Sequence, residues 1–274
     1  MFTSRTTGLM LVLPAVVFIT VGFLAPVLIL LAQSLRLEDG WGIGNYLAFM
    51  NDGLGREVFW RTIKLAALVT LAAAVIGYVA AWAIVETRPE RRGVLVGMVI
   101  LPLMISPVAR TYAWLVILGR TGFLNVLITN LGLSEEPLRL LFTETAVFIG
   151  LLQLFLPLMI ISLVSALENL PRDVVPAAQT LGAGWIATFF KVILPLTREG
   201  LVIGGTLVFT GSVTAYITPA VLGGSKVLML ETLLYQRVSV ANDFASASVI
   251  AAILMVTTLA ANRLLRRLAT PRRR

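Results

Sequence analysis

The chain contains no histidine and no cysteine, and only 13% of its residues are charged. Without cysteine there is no disulfide and no thiolate nucleophile. Without histidine as well, a Ser-His triad and a zinc site built from the usual imidazole and thiolate ligands are excluded. The lysines, Lys64, Lys191 and Lys226, stand at or beyond the ends of long apolar runs, a poor place for the desolvated base a Ser-Lys dyad needs. No Gly-rich segment ending in Gly-Lys-Ser or Gly-Lys-Thr occurs, so the chain lacks that route to a bound nucleotide. These absences point away from an enzyme, and no residue is nominated as catalytic, cofactor-binding or metal-binding.

What the chain has in abundance is apolar surface, with 58% of its residues hydrophobic. That is more than a water-soluble domain can cover, and it marks an integral membrane protein. A bilayer core of about 30 Å takes about 20 apolar residues per helix. Runs free of Asp, Glu, Lys and Arg are found at Gly8–Leu35, Leu65–Val85, Thr145–Leu167, Gly200–Ser225 and Phe244–Asn262. A further run, Gly93–Ala109, reaches Leu118 if Arg110 is allowed inside it. The expected architecture is therefore an all-α membrane protein forming one domain over 1–274, with six spans at about 8–35, 62–85, 93–118, 145–167, 197–223 and 244–263. Arg5 and the Ala32-Gln33-Ser34 triplet imitate a secretion signal, but 28 uncharged residues far exceed the apolar region of about 7–15 found in one. A retained anchor is expected.

Cytoplasmic loops carry the excess of Lys and Arg. Placing both termini inside gathers Arg5, Arg88, Arg91, Arg92, the Arg172–Arg198 segment and the Arg263–Arg274 tail on one side, while most of the acids fall on the other. The net charge of +8 is read as this topology signal, with the tail also open to anionic headgroups. Its division among short loops argues against nucleic-acid binding.

One cytoplasmic loop, 169–196, has an ordered spacing of small residues. Val175-Pro176-Ala177-Ala178-Gln179-Thr180-Leu181-Gly182 is followed, nine residues on, by Val192-Ile193-Leu194-Pro195. Ala177, Ala178 and Gly182 would let another backbone approach closely, and a protein partner is the expected visitor. The plainer alternative is an ordinary helix-turn-helix between two spans. The spacing resembles the EAA loop of type I binding-protein-dependent ABC importer permeases, in which Glu-Ala-Ala, three residues, Gly, nine residues and Ile-x-Leu-Pro dock on an ATPase. Ala177, Ala178, Gly182, Val192, Leu194 and Pro195 fit, and Pro176 replaces the Glu. Proline is compatible with the first turn of a helix, so a helix beginning near Pro176 is expected, with no carboxylate at this position to make the contact the family makes through its Glu.

The third span is interrupted by Pro102 and Pro107, and the fifth carries Thr214, Tyr216 and Thr218 ahead of Pro219. Broken helices at membrane depth go with protein contacts or a water-filled cavity. Arg110 admits two readings, a snorkelling charge near the outer boundary or a residue on a solute path. Gly119–Leu133 is too short to span and suits a re-entrant or interfacial segment. Ser106–Trp114, Gly122–Asn125, Leu156–Leu158 and Pro219–Lys226 resemble the spermidine/putrescine branch of these permeases. That resemblance implies a second related permease subunit, two ATP-binding subunits that hold ATP and Mg, and an extracytoplasmic solute-binding protein. The expected place is the bacterial inner membrane. Pathway candidates are Arg110, Tyr112, Trp114, Asn125, Thr214 and Tyr216. The uncharged runs hold no Asp or Glu, and Glu199 stands at the cytoplasmic edge of the fifth span, so the solute stays open between a polyamine and another small organic molecule. An ion-driven transporter usually places ionisable groups near the membrane midplane, and none is convincing here. A membrane scaffold that moves no solute is the remaining alternative.

Overall fold

A computed structural model of the chain describes residues 5–37, 40–171 and 173–269. Arg172 and Arg272–Arg274, which entered the charge argument, lie outside the described residues. Among the described residues, six helical runs are long and apolar enough to cross a membrane. The chain divides into two compact units, Met1–Glu57 with Leu233–Val256 and Val58–Thr232 with Thr257–Arg274.

The first unit begins with α1 (Arg5–Ile19), a π-helical turn (Thr20–Leu24) and α2 (Ala25–Leu35), one continuous helical run. The wide turn has a local cause. Pro26 has no N–H to offer the preceding turn, and the Ala25 N–H reaches back to the Thr20 carbonyl, so the ladder widens by one residue. Within Val12–Leu35 most of the apolar side chains are exposed, Phe18, Phe23 and Ile29 among them, a surface that lipid can solvate and water cannot. A small antiparallel hairpin, β1 (Arg36–Leu37) with β2 (Gly40–Trp41), departs from the all-helical expectation. It leads into α3 (Gly44–Asn51), which is tied back by Asn45 Nδ2 to the Arg36 carbonyl at 2.9 Å and by the Tyr46 and Ser34 hydroxyls at 2.5 Å. Asp243 caps the last helix by accepting from the Ser246 N–H at 3.0 Å.

The second unit contains most of α4 (Gly53–Glu86), then α5 (Pro89–Met104), α6 (Pro107–Leu118), α7 (Phe123–Asn130) and α8 (Glu144–Glu168). It continues through α9 (Val174–Thr180), α10 (Trp185–Thr188), a π turn (Phe189–Ile193), α11 (Leu194–Val213) and a second π turn (Pro219–Gly223). The chain closes with α12 (Leu230–Ser239) and α13 (Phe244–Ala269). The stretch read as the third span is two helices, α5 and α6, separated at Ile105, whose backbone is extended at φ −87° and ψ 136°. The run there that is long and apolar enough to cross is Pro107–Asn130, which takes in α7.

Helices α8 and α11 pack against each other through small residues. A Cβ on Gly200 would stand 2.4 Å from the Ala166 Cβ and 2.8 Å from the Ser162 carbonyl oxygen, so only glycine fits. The Ser162 hydroxyl donates to the Gly200 carbonyl at 2.8 Å. Around this contact lies a core of Leu65, Val69, Leu151, Met159, Leu163, Val208 and Leu222.

Both ends of this unit are braced by charge. On the side assigned to the exterior, the Glu144 carboxylate meets Lys64 Nζ at 2.5 Å and Arg61 Nε at 3.2 Å. Arg61 also donates to the Leu228 carbonyl at 3.3 Å, and the Leu230 N–H donates to the Thr62 hydroxyl at 2.9 Å. At the cytoplasmic end Arg92 reaches Glu168 at 3.0 Å and the Val85 carbonyl.

Candidate functional site

The ordered loop folds into two short helices joined by a glycine turn. α9 starts at Val174, two residues ahead of Pro176, so the proline stands in the first turn, where the N–H it lacks would have no partner in the helix. The helix ends at Thr180, and Gly182, just past its Leu181 cap, has a φ of +81° that is open to glycine at little cost. The Gly182 N–H donates to the Gln179 carbonyl at 2.9 Å and the Ala183 N–H to the Ala178 carbonyl at 3.1 Å, the paired bonds of a Schellman ending. A Cβ on Gly182 would meet nothing within 4 Å, so its smallness serves no contact inside the chain. The positive φ supplies a conformational reason for the glycine beside the close approach read from sequence.

Ala177 is exposed and Ala178 half-buried. Next to them Leu181 is 88% and Ile186 73% exposed, bare apolar surface on a loop assigned to the cytoplasm, which a protein partner could cover. At the far end Pro195 again lacks an N–H, and the Leu194 N–H reaches the Phe189 carbonyl through the π turn. Ile193 is buried while Val192 and Leu194 are half-buried and Pro195 is exposed.

The loop is fastened to α4 by aromatic rings. Trp185 stacks on Phe189 with centroids 5.5 Å apart and planes 16° from parallel. Trp82 meets Trp185 edge-on at 5.9 Å, and Tyr78 meets Phe189 edge-on at 5.3 Å. Each such pair contributes about 0.5–1.5 kcal/mol beyond the area it buries. The Tyr78 hydroxyl also shares a hydrogen bond with Thr197 at the start of α11. Beneath the rings a cavity of about 280 Å³ is lined by Trp82, Glu86, Val175, Gln179 and Trp185. The loop is therefore in direct contact with α4. Sequence reasoning missed Tyr78, Trp82, Trp185 and Phe189. Their signal was present: each pair is four residues apart, which places both rings on one helical face.

The pathway candidates fall on the two broken helices. The hydroxyls of Thr111 on α6 and Thr218 beside the second π turn are 3.1 Å apart, which joins the segment carrying Arg110, Tyr112 and Trp114 to the segment carrying Thr214 and Tyr216. Tyr112 is 56% exposed. Trp114 lines a cavity of about 380 Å³ with Val99, Gln153, Leu156 and Pro157. Arg110 is half-buried, and its Nε and Nη1 are enclosed with no hydrogen-bond partner among the described residues. Thr214 is exposed and bonds the Thr210 carbonyl at 2.9 Å, and Tyr216 is half-buried. Asn125 is different, at 1% exposure. Its amide donates to the Gly119 and Leu138 carbonyls at 2.9 and 3.1 Å and accepts from the Leu138 N–H at 2.8 Å, so it holds the 119–138 loop together and presents nothing to a passing solute in this conformation.

Residues 73–274 match the family described as binding-protein-dependent transport system inner membrane component. The chain is 34% identical over 258 residues to the spermidine/putrescine transport system permease protein PotB of Haemophilus influenzae, covering 89% of this chain and 90% of that one. It is 33% identical over 188 residues to the protein of the same name in Escherichia coli, covering 69% and 68%. Among solved structures, a bacterial alginate ABC transporter in complex with an alginate pentasaccharide-bound periplasmic protein superposes with a TM-score of 0.77 at 16% identity, over 95% of this chain and 94% of the other. A chain of the MetNI methionine ABC transporter, inward facing, superposes with a TM-score of 0.55 at 18% identity, over 78% and 95%. The chain belongs to the family of binding-protein-dependent transport system inner membrane components, as a multi-pass, non-catalytic permease subunit of an ATP-driven importer in the bacterial inner membrane.

Proposed function

We propose that this subunit forms half of the translocation route for a polyamine of the spermidine/putrescine type. It works beside a second related permease, with two ATP-binding subunits that hold ATP and Mg and an extracytoplasmic solute-binding protein that delivers the solute. The identity of 34% over nearly the whole length to a permease named for spermidine and putrescine supports the solute. Exposed rings such as Tyr112 can hold ammonium groups by cation–π contacts worth about 0.5–2 kcal/mol.

The observation that carries the mechanism is the loop. Ala177, Ala178, Gly182, Val192, Leu194 and Pro195 frame a surface on which Leu181 and Ile186 stand bare, and the same loop is joined through Trp185 and Phe189 to Trp82 and Tyr78 of α4. Closure of the ATPases around bound ATP moves α9 and α10, and the ring contacts carry that motion to α4 and α11. The broken segments with Arg110, Tyr112, Trp114, Thr214 and Tyr216 line the route, and Asn125 supports them from behind.

Uptake of radiolabelled spermidine and putrescine into proteoliposomes containing the purified complex tests this reading. Uptake should require both ATP and the binding protein. A complex that hydrolyses ATP with its binding protein, carries another solute and leaves both polyamines outside would overturn the substrate. That second reading is favoured by one feature, the absence of Asp and Glu from the uncharged runs that form the membrane interior of the spans.

A further inference from the structure

The side of the chain assigned to the exterior has half-buried carboxylates at helix ends, Glu144, Glu231 and Asp243. Two of these are neutralised within the chain, Glu144 by Lys64 and Arg61 and Asp243 by Arg237 at 3.7 Å. Glu231 takes part in none of the ion pairs or hydrogen bonds found among the described residues. Burial raises its carboxyl above the usual glutamate value, as expected of an anion short of counter-charge.

Its mount is rigid. The Leu230 N–H is fixed to the Thr62 hydroxyl at 2.9 Å, and Thr232 is tied to Met229 by bonds of 2.8 Å in both directions. Leu230 and Thr232, on either side of Glu231, are buried. The cations of the adjoining stretch of α4, Arg61 and Lys64, are engaged by Glu144. Leaving a partly desolvated carboxylate unpaired is costly.

We infer that the Glu231 carboxylate receives an ammonium group of the polyamine at the extracytoplasmic end of its route. This rests on the function proposed above and adds to it the residue that reads the solute's charge. An alkylammonium offers charge-assisted N–H donors to a carboxylate, and a polyamine carries a further ammonium with which to leave toward the next site.

The absence of cysteine from the chain makes a charge test possible on one folded protein. In proteoliposomes with saturating binding protein, Glu231→Gln and Glu231→Cys should lower polyamine uptake about tenfold, the scale of one lost charge-assisted hydrogen bond. ATP hydrolysis and co-purification of the ATPase should persist. Treating the Glu231→Cys complex with the anionic sulfonatoethyl methanethiosulfonate should restore most of the uptake, and the cationic trimethylammonioethyl reagent should not. Equal effects of the two reagents, wild-type uptake by the untreated variants, or failure of both variants to assemble would overturn the inference. So would variants that keep wild-type maximal uptake but need more binding protein to reach half of it, since the carboxylate would then be meeting a lysine of that protein. No polyamine uptake by the unsubstituted complex would instead overturn the function on which the inference stands.

Discussion

Trp185, in the cytoplasmic loop, and Trp82, in the membrane helix α4, meet edge to face with ring centroids 5.9 Å apart. The two indoles are 103 positions apart in sequence, and together with Tyr78 and Phe189 they make the loop part of the helix bundle instead of a tether hanging from it. A tether would absorb the motion of a docked ATPase. A packed loop transmits it, because close-packed side chains are nearly incompressible.

Replacing Gly182 with glutamate should detach the ATPase. The positive φ alone costs a non-glycine residue about 1–2 kcal/mol, and the new side chain projects into open space beside Leu181. Co-purification of the ATPase with the tagged chain should fall sharply while the chain still reaches the membrane. Asparagine, which tolerates this conformation better, should lose much less. Equal recovery of the ATPase with glycine and glutamate would exclude the loop as the docking surface.

The α8–α11 contact predicts a different kind of defect. Gly200→Leu drives its first side-chain carbon to within 2.4 Å of the Ala166 Cβ, and overpacking of this sort costs about 1–3 kcal/mol. The melting temperature of the complex in mild detergent should fall. Gly184→Ala is the control, since its φ is −68° and an added Cβ meets nothing within 4 Å. It should leave the melting curve unchanged.

Asn125→Ala separates support from lining. It removes three hydrogen bonds to Gly119 and Leu138, each worth about 0.5–1.5 kcal/mol, and strands buried backbone groups. Thermal stability should drop while the preference of the surviving complex between spermidine and putrescine stays the same. A changed preference at unchanged stability would place Asn125 on the solute's route.

The membrane character and the span count were legible because they depend on local composition: a run of about 20 residues without charge reports its surroundings directly. The loop was legible through spacing, since Ala177, Ala178, Gly182 and Pro195 keep their separations whatever surrounds them. Pro26 and Pro195 were visible as residues, but the π turns they accompany depend on which carbonyl accepts the displaced N–H, and that is settled only as the helix forms. Asn125 read as a pathway candidate because a polar side chain in an apolar stretch suggests a lined cavity. Its partners, Gly119 and Leu138, are backbone groups, which carry no mark in the sequence. The role of Glu231 was hidden for a related reason, since it follows from Glu144 having taken both Lys64 and Arg61 of α4.

The most direct test of the account is the ratio of polyamine imported to ATP hydrolysed by a Trp185→Ala complex in proteoliposomes. The substitution removes the stack on Phe189 and the edge contact with Trp82, together about 1–3 kcal/mol of coupling, and leaves Leu181 and Ile186 in place for docking. The account predicts an assembled complex that hydrolyses ATP while importing several-fold less polyamine per ATP. An unchanged ratio would show that the ring contacts between the loop and α4 do not carry the motion, and would contradict the account at its centre.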